Sequence, residues 1–580
     1  MDEIIDPTKA LGALVRAAAI SALGDEAAGI DPAIRRSDRA DFQADLAMGL
    51  ARRLKKAPRA IAEQIAAAIP LGPLVERFEV AGPGFINLHL SGAWLAAAAA
   101  HVDADPRLGA ALASAPERIT IDYSAPNVAK EMHVGHLRST VIGDSLARLL
   151  EWRGRTVLRQ NHLGDWGTPF SMLIEHLIDL GETAAANEVA VGDLSTFYQA
   201  ARKKFEDDPA FADRARGRVV LLQAGDETTL ARWRVLVDLS KSYFESVYDK
   251  LAVTLRPTDI AGESMYNPML APLAAELEAS GAARIDDGAL CVFPSGFTNK
   301  EGSPLPLIIR KRDGGFGYAT TDLAAIRYRL RDLSATRLIY VVGAPQQQHF
   351  AMIFAAAKEL GWLAPPARAE HVMFGSVLGA DKRMYRTRTG DTVRLVDLID
   401  AAIDRADKVL TEKGPDLDAA KKRGLARTVG VGAIKYADLS SDRLKDYFFD
   451  IDRMVSFDGN SAGYLQYAHA RALSIARRAG DTAKVGPFAL PAAPEERALI
   501  LDLLAFGAIV EKVEATLEPH HLTGYLYALA TSFTAFFEKC PVLKADDDAT
   551  RSSRLALTAV SARTIARGLA LLGIDAPTRM

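Results

Sequence analysis

The sequence predicts an α/β protein: a central domain on a Rossmann-like, doubly wound parallel sheet, a small α/β domain before it and an all-helical domain after it. Three observations carry this expectation. Apolar strand runs alternate with amphipathic helices through the middle of the chain, a Gly-Pro-Gly turn leads into a short alternating strand near residue 85, and strand signals vanish after about residue 457. With 580 residues the chain is too long for one core, and domains of roughly 100 to 200 residues imply three to five of them.

Residues 1–112 read as the first domain. Apolar spacing through Leu11, Leu14, Val15 and Ala18, and again through Phe42, Leu46 and Leu50, marks two helical stretches. The domain closes on AGPGFINLHL, where Gly82, Pro83 and Gly84 turn the chain into alternating Phe85, Asn87 and His89, and an alanine-rich helix from Trp94 to Val102 leads out. The central domain spans 113–380. ERITIDYSA alternates Ile119, Ile121 and Tyr123 against Thr120, Asp122 and Ser124, a strand ended by Pro126 and Asn127. Leu137, Val141, Ile142, Leu146, Leu149 and Leu150 then recur at helical spacing until Gly154. A charge-rich helical stretch over about 182–250 reads as an insertion, after which RLIYVVGA and HVMFGSVL read as buried strands. Residues 381–456 form a connecting region and 457–580 the helical domain, including LILDLLAFGAIVEKVEATL and LTGYLYALATSFTAFFEKC.

Composition excludes several classes of function. Hydrophobic residues at 49% and charged residues at 25% match an ordinary globular chain and argue against disorder. Two cysteines, Cys291 and Cys540, rule out a disulfide framework and a four-cysteine zinc site and suit a reducing cytoplasm. The N-terminus is acidic before its apolar stretch, unlike a secretory signal, and no uncharged apolar run approaches the ~18 residues of a membrane span. At a net charge of −3, any nucleic-acid partner has to be held by local basic patches.

The chemistry is concentrated in PNVAKEMHVGHLRST, which puts His133 and His136 on one turn at a helix start, with Gly135 between them. The unpaired N–H groups and positive dipole end of a helix welcome phosphate. Gly135 leaves room for an adenine or ribose against the backbone. Two imidazoles beside a developing pentacovalent phosphate supply hydrogen bonds without covalent chemistry. The competing readings are a structural pair and two zinc ligands at i and i+3; zinc needs a third ligand, for which His162 and Asp165 are the nearest candidates. Strand, Pro-Asn break and histidines at the next helix start favour nucleotide chemistry. GVGAIK (430–435) resembles the start of a dinucleotide fingerprint but carries Lys435 in place of the third glycine, and GxxxxGK[ST] does not occur.

HVGH resembles the HIGH motif of class I aminoacyl-tRNA synthetases, and IDYSAPNVAKEMHVGHLRSTVIGD closely resembles the arginyl members of that class. NHLGDWGTPF, GESMYNPML, GYATTDLAA, YVVGAPQQQHF and NSAGYLQYAHAR follow in the order of the same family, so the resemblance covers nearly the whole chain. It implies an arginine–tRNA ligase that uses ATP with Mg²⁺ to form arginyl-adenylate and then charges tRNA(Arg), acting as a monomer. It assigns arginine binding to Asp122, Asn127, Tyr318, Asp322 and Gln346. A planar guanidinium needs a fixed carboxylate, for which Asp322 is the better candidate and Asp122 the candidate for the α-ammonium; a helix N-cap is the structural alternative for Asp322.

The family's second mobile motif is replaced by DKRMYRTRTG, whose Lys382, Arg383, Arg386 and Arg388 supply positive charge for the triphosphate, and the resemblance casts Lys130 as the substitute for a missing lysine. It makes the N-terminal domain a tRNA-elbow module contacting tRNA through Phe85 and Asn87, and the helical domain an anticodon-binding domain using Tyr464, Tyr467, Arg471 and Met580. A buried stripe explains Tyr464 and Tyr467 equally well. A different class I specificity and a non-catalytic tRNA-binding paralogue are the rivals; the first lacks its zinc ligands or editing insert here, and the second is disfavoured by both histidines being present.

Overall fold

A computed structural model describes residues 6–166, 168–181, 194–379, 393–413, 418–480 and 483–580. The chain opens with α1 (Pro7–Leu23), started by Pro7 in its first turn and by the Asp6 carboxylate, which accepts from the Thr8 and Lys9 amides. β1 (Ile34–Arg36), β2 (Phe42–Ala44), β3 (Val75–Ala81) and β4 (Phe85–Leu90) form an antiparallel sheet in the order β1-β2-β4-β3, with α3 (Pro58–Ala67) packed on β3 and β4, α2 (Leu46–Leu54) packed on α3, and α4 (Gly92–Ala104) packed on helices near the C-terminus. Gly84 has a φ of +146°, and a Cβ there would lie 2.8 Å from the Pro58 carbonyl, so the Gly-Pro-Gly turn is what lets β3 and β4 close over α3.

The central sheet is parallel, in the order β11-β10-β5-β6. β5 (Arg118–Asp122) leads through α5 (Val134–Trp152) to β6 (Thr156–Gln160) on one side; β10 (Arg337–Tyr340) leads through α12 (Gln347–Glu359) to β11 (Arg368–His371) on the other. The order therefore reverses between β5 and β10, and a crevice opens at their carboxyl ends, where ligands bind in sheets of this kind. β10 is buried along its whole length: Leu338, Ile339 and Tyr340 supply the apolar run, and Arg337 is paired with Glu370 of β11.

Between β6 and β10 lie α6 (Thr168–Leu180), α7 (Leu194–Asp207), α8 (Pro209–Gln223), α9 (Glu227–Lys250) and α10 (Glu263–Ala279). Glu175 on α6 binds Arg214 and Arg218 on α8 at 2.8 and 2.9 Å, so the insertion is helical and pinned to the domain, as its charge pattern predicts. Three features differ from expectation. Phe42, read with Leu46 and Leu50 as one helical stretch, lies in β2, and the helix starts at Leu46. Three short strands, β7 (Arg284–Asp286), β8 (Ala289–Val292) and β9 (Leu307–Arg310), form an antiparallel sheet ahead of α11 (Tyr318–Arg331). HVMFGSVL is not one strand: β11 ends at His371, and β12 (Val377–Leu378) pairs with the distant β13 (Tyr447–Phe448).

The rest is helical. α13 (Leu395–Lys413), α14 (Ala419–Leu439) and α15 (Ile451–Met454) precede α16 (Ala462–Ala479), α17 (Pro494–Leu504), α18 (Phe506–Thr516), α19 (His520–Lys539) and α20 (Asp548–Leu571). GVGAIK lies inside α14, and a Cβ on Gly430 would meet the Ala402 carbonyl of α13 at 2.8 Å, so this glycine serves helix packing. One continuous buried apolar cluster runs from α1 through α5 to α20, and a second fills the far side of the sheet around Tyr266, Ile309 and Leu338. No described helix is long and apolar enough to cross a membrane.

Candidate active site

The loop from β5 to α5 occupies the crevice. Ser124, Ala125 and Ala129 all have positive φ (72°, 46° and 59°), a conformation L-residues adopt only when their surroundings enforce it. Neighbours supply that enforcement. The Ser124 amide donates to Ser139 Oγ (2.9 Å), the Ala125 amide to Asn161 Oδ1 (3.1 Å) and the Ala129 amide to Ser240 Oγ on α9 (2.9 Å), while Ser124 Oγ meets Tyr248 Oη at 2.8 Å. The helical insertion thus holds the loop in shape.

His133 is the N-cap of α5 and forms a reciprocal box with His136. His133 Nδ1 accepts from the Gly135 amide (3.0 Å), and His136 Nδ1 accepts from the His133 amide (3.1 Å). The rings lie 4.1 Å apart. Nδ1 must be unprotonated to accept a backbone N–H, which leaves Nε2 as the nitrogen carrying hydrogen on both neutral rings. Burial lowers both pKa values, with Lys130 adding to the effect on His133; His136 is pushed down to about 3. A Cβ on Gly135 would lie 2.7 Å from His133 Cε1, so only glycine lets the ring fold back over its own helix. Two fixed N–H donors at a positive helix end are suited to oxygens that gain negative charge.

Lys130 is exposed, its ammonium 4.8 Å from the Tyr198 ring on α7. Residues 393–395 dock on the histidine loop: the Val134 amide donates to Val393 O (3.1 Å) and the Leu395 amide to Met132 O (2.8 Å). Lys382, Arg383, Arg386 and Arg388 lie outside the described residues. Zinc finds no support from the site: His162 stacks on Tyr266, Asp165 is fixed by Ser264, and among the described residues the one cluster with metal-ligand spacing is Glu518, His520 and His521.

The acidic residues divide into a floor and a wall. Asp122 is buried and forms a 2.6 Å ion pair with Arg329, itself 1% exposed and packed over Tyr340. One of its carboxylate oxygens, Oδ2, is thus matched within the protein, at the end of β5 where the crevice opens. Asp322 sits in the second turn of α11, whose N-cap is Gly317, and receives His349 Nε2 at 2.6 Å; it is no helix cap. Tyr318 (76% exposed) opens the same helix, Gln346 is exposed on the turn after β10, and Asn127 is exposed on the loop.

Glu263, the first residue of α10, was missed in the sequence. Its carboxyl is pushed up to about 7, first by burial and then by the charges of Asp165 and Asp322. Ser264 fixes Asp165 through its amide (2.8 Å) and hydroxyl (2.7 Å). Three carboxyl groups from three segments, Glu263, Asp165 and Asp322, therefore act on one another, and their mutual repulsion calls for a cation.

Three family models match the chain: "tRNA synthetases class I (R), catalytic domain" over 104–451, "DALR anticodon binding domain" over 465–580 and "Arginyl tRNA synthetase N terminal domain" over 9–90. The chain is 54% identical over 577 residues to the arginine–tRNA ligase of Thermobifida fusca, covering 99% of this chain and 100% of that one. It belongs to the arginyl-tRNA synthetase family. The arginine–tRNA ligase of Frankia casuarinae is 51% identical, with 97% of both chains covered. The structure matches the arginyl-tRNA synthetases of Thermus thermophilus (TM-score 0.82, 27% identity, 99% and 100% covered) and Plasmodium falciparum (TM-score 0.82, 28% identity, 99% of both).

As an arginyl-tRNA synthetase, the chain presents two further surfaces. Near its C-terminus, a cavity of about 780 Å³ is lined by Tyr467, Arg471, Arg478, Phe537, Lys544 and Met580, among others. The Arg471 guanidinium lies 4.7 Å from the Tyr467 ring and 5.2 Å from that of Phe537. Tyr464 is not there; its hydroxyl meets Thr534 on α19 at 3.2 Å, which is the packing-stripe alternative. In the N-terminal domain Phe85 is half-buried, 5.8 Å from the Arg35 guanidinium, whereas Asn87 is 3% exposed inside β4 and its amide is closed to a nucleotide in this conformation.

Proposed function

We propose that the chain catalyses the ATP-dependent attachment of L-arginine to tRNA(Arg) in two steps, at the crevice between β5 and β10. The carrying observation is the reciprocal cap of His133 and His136 at the start of α5, which leaves both Nε2 nitrogens as donors at a positive helix end. Glu263 and Asp322 hold the guanidinium, and Tyr318, Gln346 and Asn127 bind the remaining polar groups of arginine. The arginine carboxylate attacks the α-phosphate, the α-phosphate–pyrophosphate bond breaks, and His133 and His136 donate to the oxygens that gain charge. Mg²⁺ on the triphosphate offsets its negative charge. Lys130 follows the departing pyrophosphate, with Lys382, Arg383, Arg386 and Arg388 from the stretch that ends at the docked Val393. A terminal ribose hydroxyl of tRNA then attacks the acyl carbon, displacing AMP.

The same reading divides the chain at 112, 380 and 456, gives the elbow of tRNA to Phe85 and the anticodon to Tyr467, Arg471 and Met580, and places a monomer in the cytoplasm. ATP–pyrophosphate exchange with arginine, with and without tRNA(Arg), tests the reaction; a non-catalytic tRNA-binding protein gives no exchange in either case. Lys130→Ala should slow adenylate formation severely with the fold intact, and Lys130→Arg should recover part, because a guanidinium is bulkier and geometrically stricter than an ammonium. Wild-type rates in both variants would shift the phosphate role to the later cationic stretch.

A further inference from the structure

The buried lysine in the nucleotide-like decoy of α14 has no place in the reaction above. Lys435, 1% exposed, donates to Gly573 O (2.7 Å) and Ala252 O (3.1 Å). Beside it lies Asp144 of α5, also buried, which accepts from Arg148 Nε (2.7 Å) and the Thr254 amide (2.8 Å). Gly573 is wedged between them at a φ of +69°: a Cβ there would meet Asp144 Oδ2 at 3.0 Å, Lys435 Nζ at 3.1 Å and Arg148 Nε at 3.2 Å. Asp144 is eight residues beyond His136, about 12 Å along the helix at 1.5 Å per residue.

The chain after α20 then runs from this junction to the cavity beside Tyr467, and its carbonyls are gripped in turn. Ser145 Oγ donates to Leu571 O (3.2 Å), Lys435 to Gly573 O, Gln466 Nε2 to Asp575 O (2.9 Å), His469 Nδ1 to Pro577 O (3.0 Å) and Arg477 Nη1 to Thr578 O (3.1 Å). Arg579 and Met580 end in the cavity wall. The first two donors sit on α5 and α14, the other three along one side of α16.

We propose that residues 572–580 form a strap that transmits occupancy of the C-terminal cavity to the catalytic helix α5, with Lys435 the positioning residue at its inner end. A ligand that shifts Arg579 and Met580 pulls on a segment whose carbonyls at Gly573, Asp575, Pro577 and Thr578 are held by α14 and α16, next to Leu571, which is held by α5, so displacement along it is felt at Asp144. Physical continuity alone does not establish coupling; a response of α5 to a ligand that touches only the cavity does. This inference rests on the cavity being the anticodon site.

The probe is an RNA hairpin carrying the anticodon stem-loop of tRNA(Arg), which is too short to reach the catalytic crevice. Hydrogen exchange of residues 138–150 is measured in the full-length protein with and without it. The wild type should show slower exchange in α5 on hairpin binding. Lys435→Met and, with the junction intact, Gln466→Met should bind the hairpin within about threefold of the wild type yet lose most of that slowing. With full tRNA, both variants should lose kcat discrimination between cognate and anticodon-altered tRNA while keeping KM discrimination, a split that simple destabilisation does not produce. A hairpin that binds the wild type without changing α5, or variants with the full response, overturns the strap. A hairpin that does not bind overturns the anticodon reading and the strap with it.

Discussion

His133 and His136 cap α5, and in the proposed reaction the same pair of rings presents Nε2–H to substrate. Removing either should therefore cost twice. Loss of an N-cap typically costs ~1 kcal/mol of stability, and loss of a positioned donor to transition-state charge costs ~2.7 to 4 kcal/mol, or about 10² to 10³ in rate. His133→Ala and His136→Ala should lower adenylate formation by that factor with little change in arginine affinity, as pre-steady-state and binding measurements would show; unchanged turnover in both would end the nucleotide assignment. The folded pKa of His136, about 3, lies below its unfolded 6.5, so stability should rise with pH through that window and fall as the protein is acidified. Glu263 has the opposite sign. Its folded value of about 7 exceeds the unfolded 4.5, so the native state holds an extra proton between them and stability falls as pH rises through the window. In the proposed site arginine binds the carboxylate form, so its affinity should weaken below pH 7 and binding at pH 6.5 should release a proton, visible as a buffer-dependent heat in calorimetry. Glu263→Gln should bind arginine roughly 10- to 150-fold more weakly, given ~1.5 to 3 kcal/mol for a hydrogen bond to a charged group, yet melt higher than wild type at pH 8.

At the scale of elements, the geometry depends on how closely α5 lies on β5. A Cβ on Gly143 would overlap the buried Tyr123 ring, so Gly143→Ala should force the helix off the strand and cost ~1 to 3 kcal/mol or more. Gly424, exposed in α14 with open space around its Cβ position, is the control: Gly424→Ala should stabilise by ~0.5 to 1 kcal/mol. Thermal unfolding of the two variants reads both, and equal shifts would mean that the contact with Tyr123 relaxes freely. The strand, helix and histidine cap around Gly143 were legible because each rests on local signals: period-two alternation, period-3.6 recurrence and a helix-start pattern. β7, β8 and β9 were not, since three- and four-residue strands are too short for alternation to register, and β7 is exposed throughout. HVMFGSVL misled because its apolar run serves two pairings, one with β10 and one with β13. The acidic groups show the same limit. Asp122 is paired with a residue 207 positions away, and the raised pKa of Glu263 comes from burial and then from carboxylates on two other segments, so neither environment is written in a local pattern.

Across the whole molecule, the domains read from sequence share one core. Arg138, two residues beyond His136, is 1% exposed, 3.3 Å from Asp438 at the end of α14 and 2.9 Å from Lys445 O. Arg153 and Arg155 both reach Glu514 on α18 at 2.6 Å, and Arg497 on α17 binds Asp41 of the N-terminal domain at 2.7 and 2.6 Å. Deleting everything after Ser456 would thus strip the covering of α5 and leave buried charges unpaired, so loss of charging after such a truncation says little about the anticodon. Single substitutions in the cavity ask the question cleanly. A base stacked on an aromatic ring is worth ~1 to 3 kcal/mol, so Tyr467→Ala should raise KM for tRNA by roughly 5- to 150-fold, with arginine binding unchanged. Arg471→Ala removes the cation held between Tyr467 and Phe537. If Arg471 meets a phosphate, the variant should weaken all tRNAs alike and reduce the slope of log affinity against log salt by about 0.7 to 0.9. If it meets a base edge, the slope should stay and discrimination against anticodon-altered tRNA should fall. Filter-binding titrations from 50 to 200 mM salt with cognate and altered tRNA separate the two, and an Arg471→Ala protein that matches wild type in slope, affinity and discrimination would remove the residue from the tRNA interface.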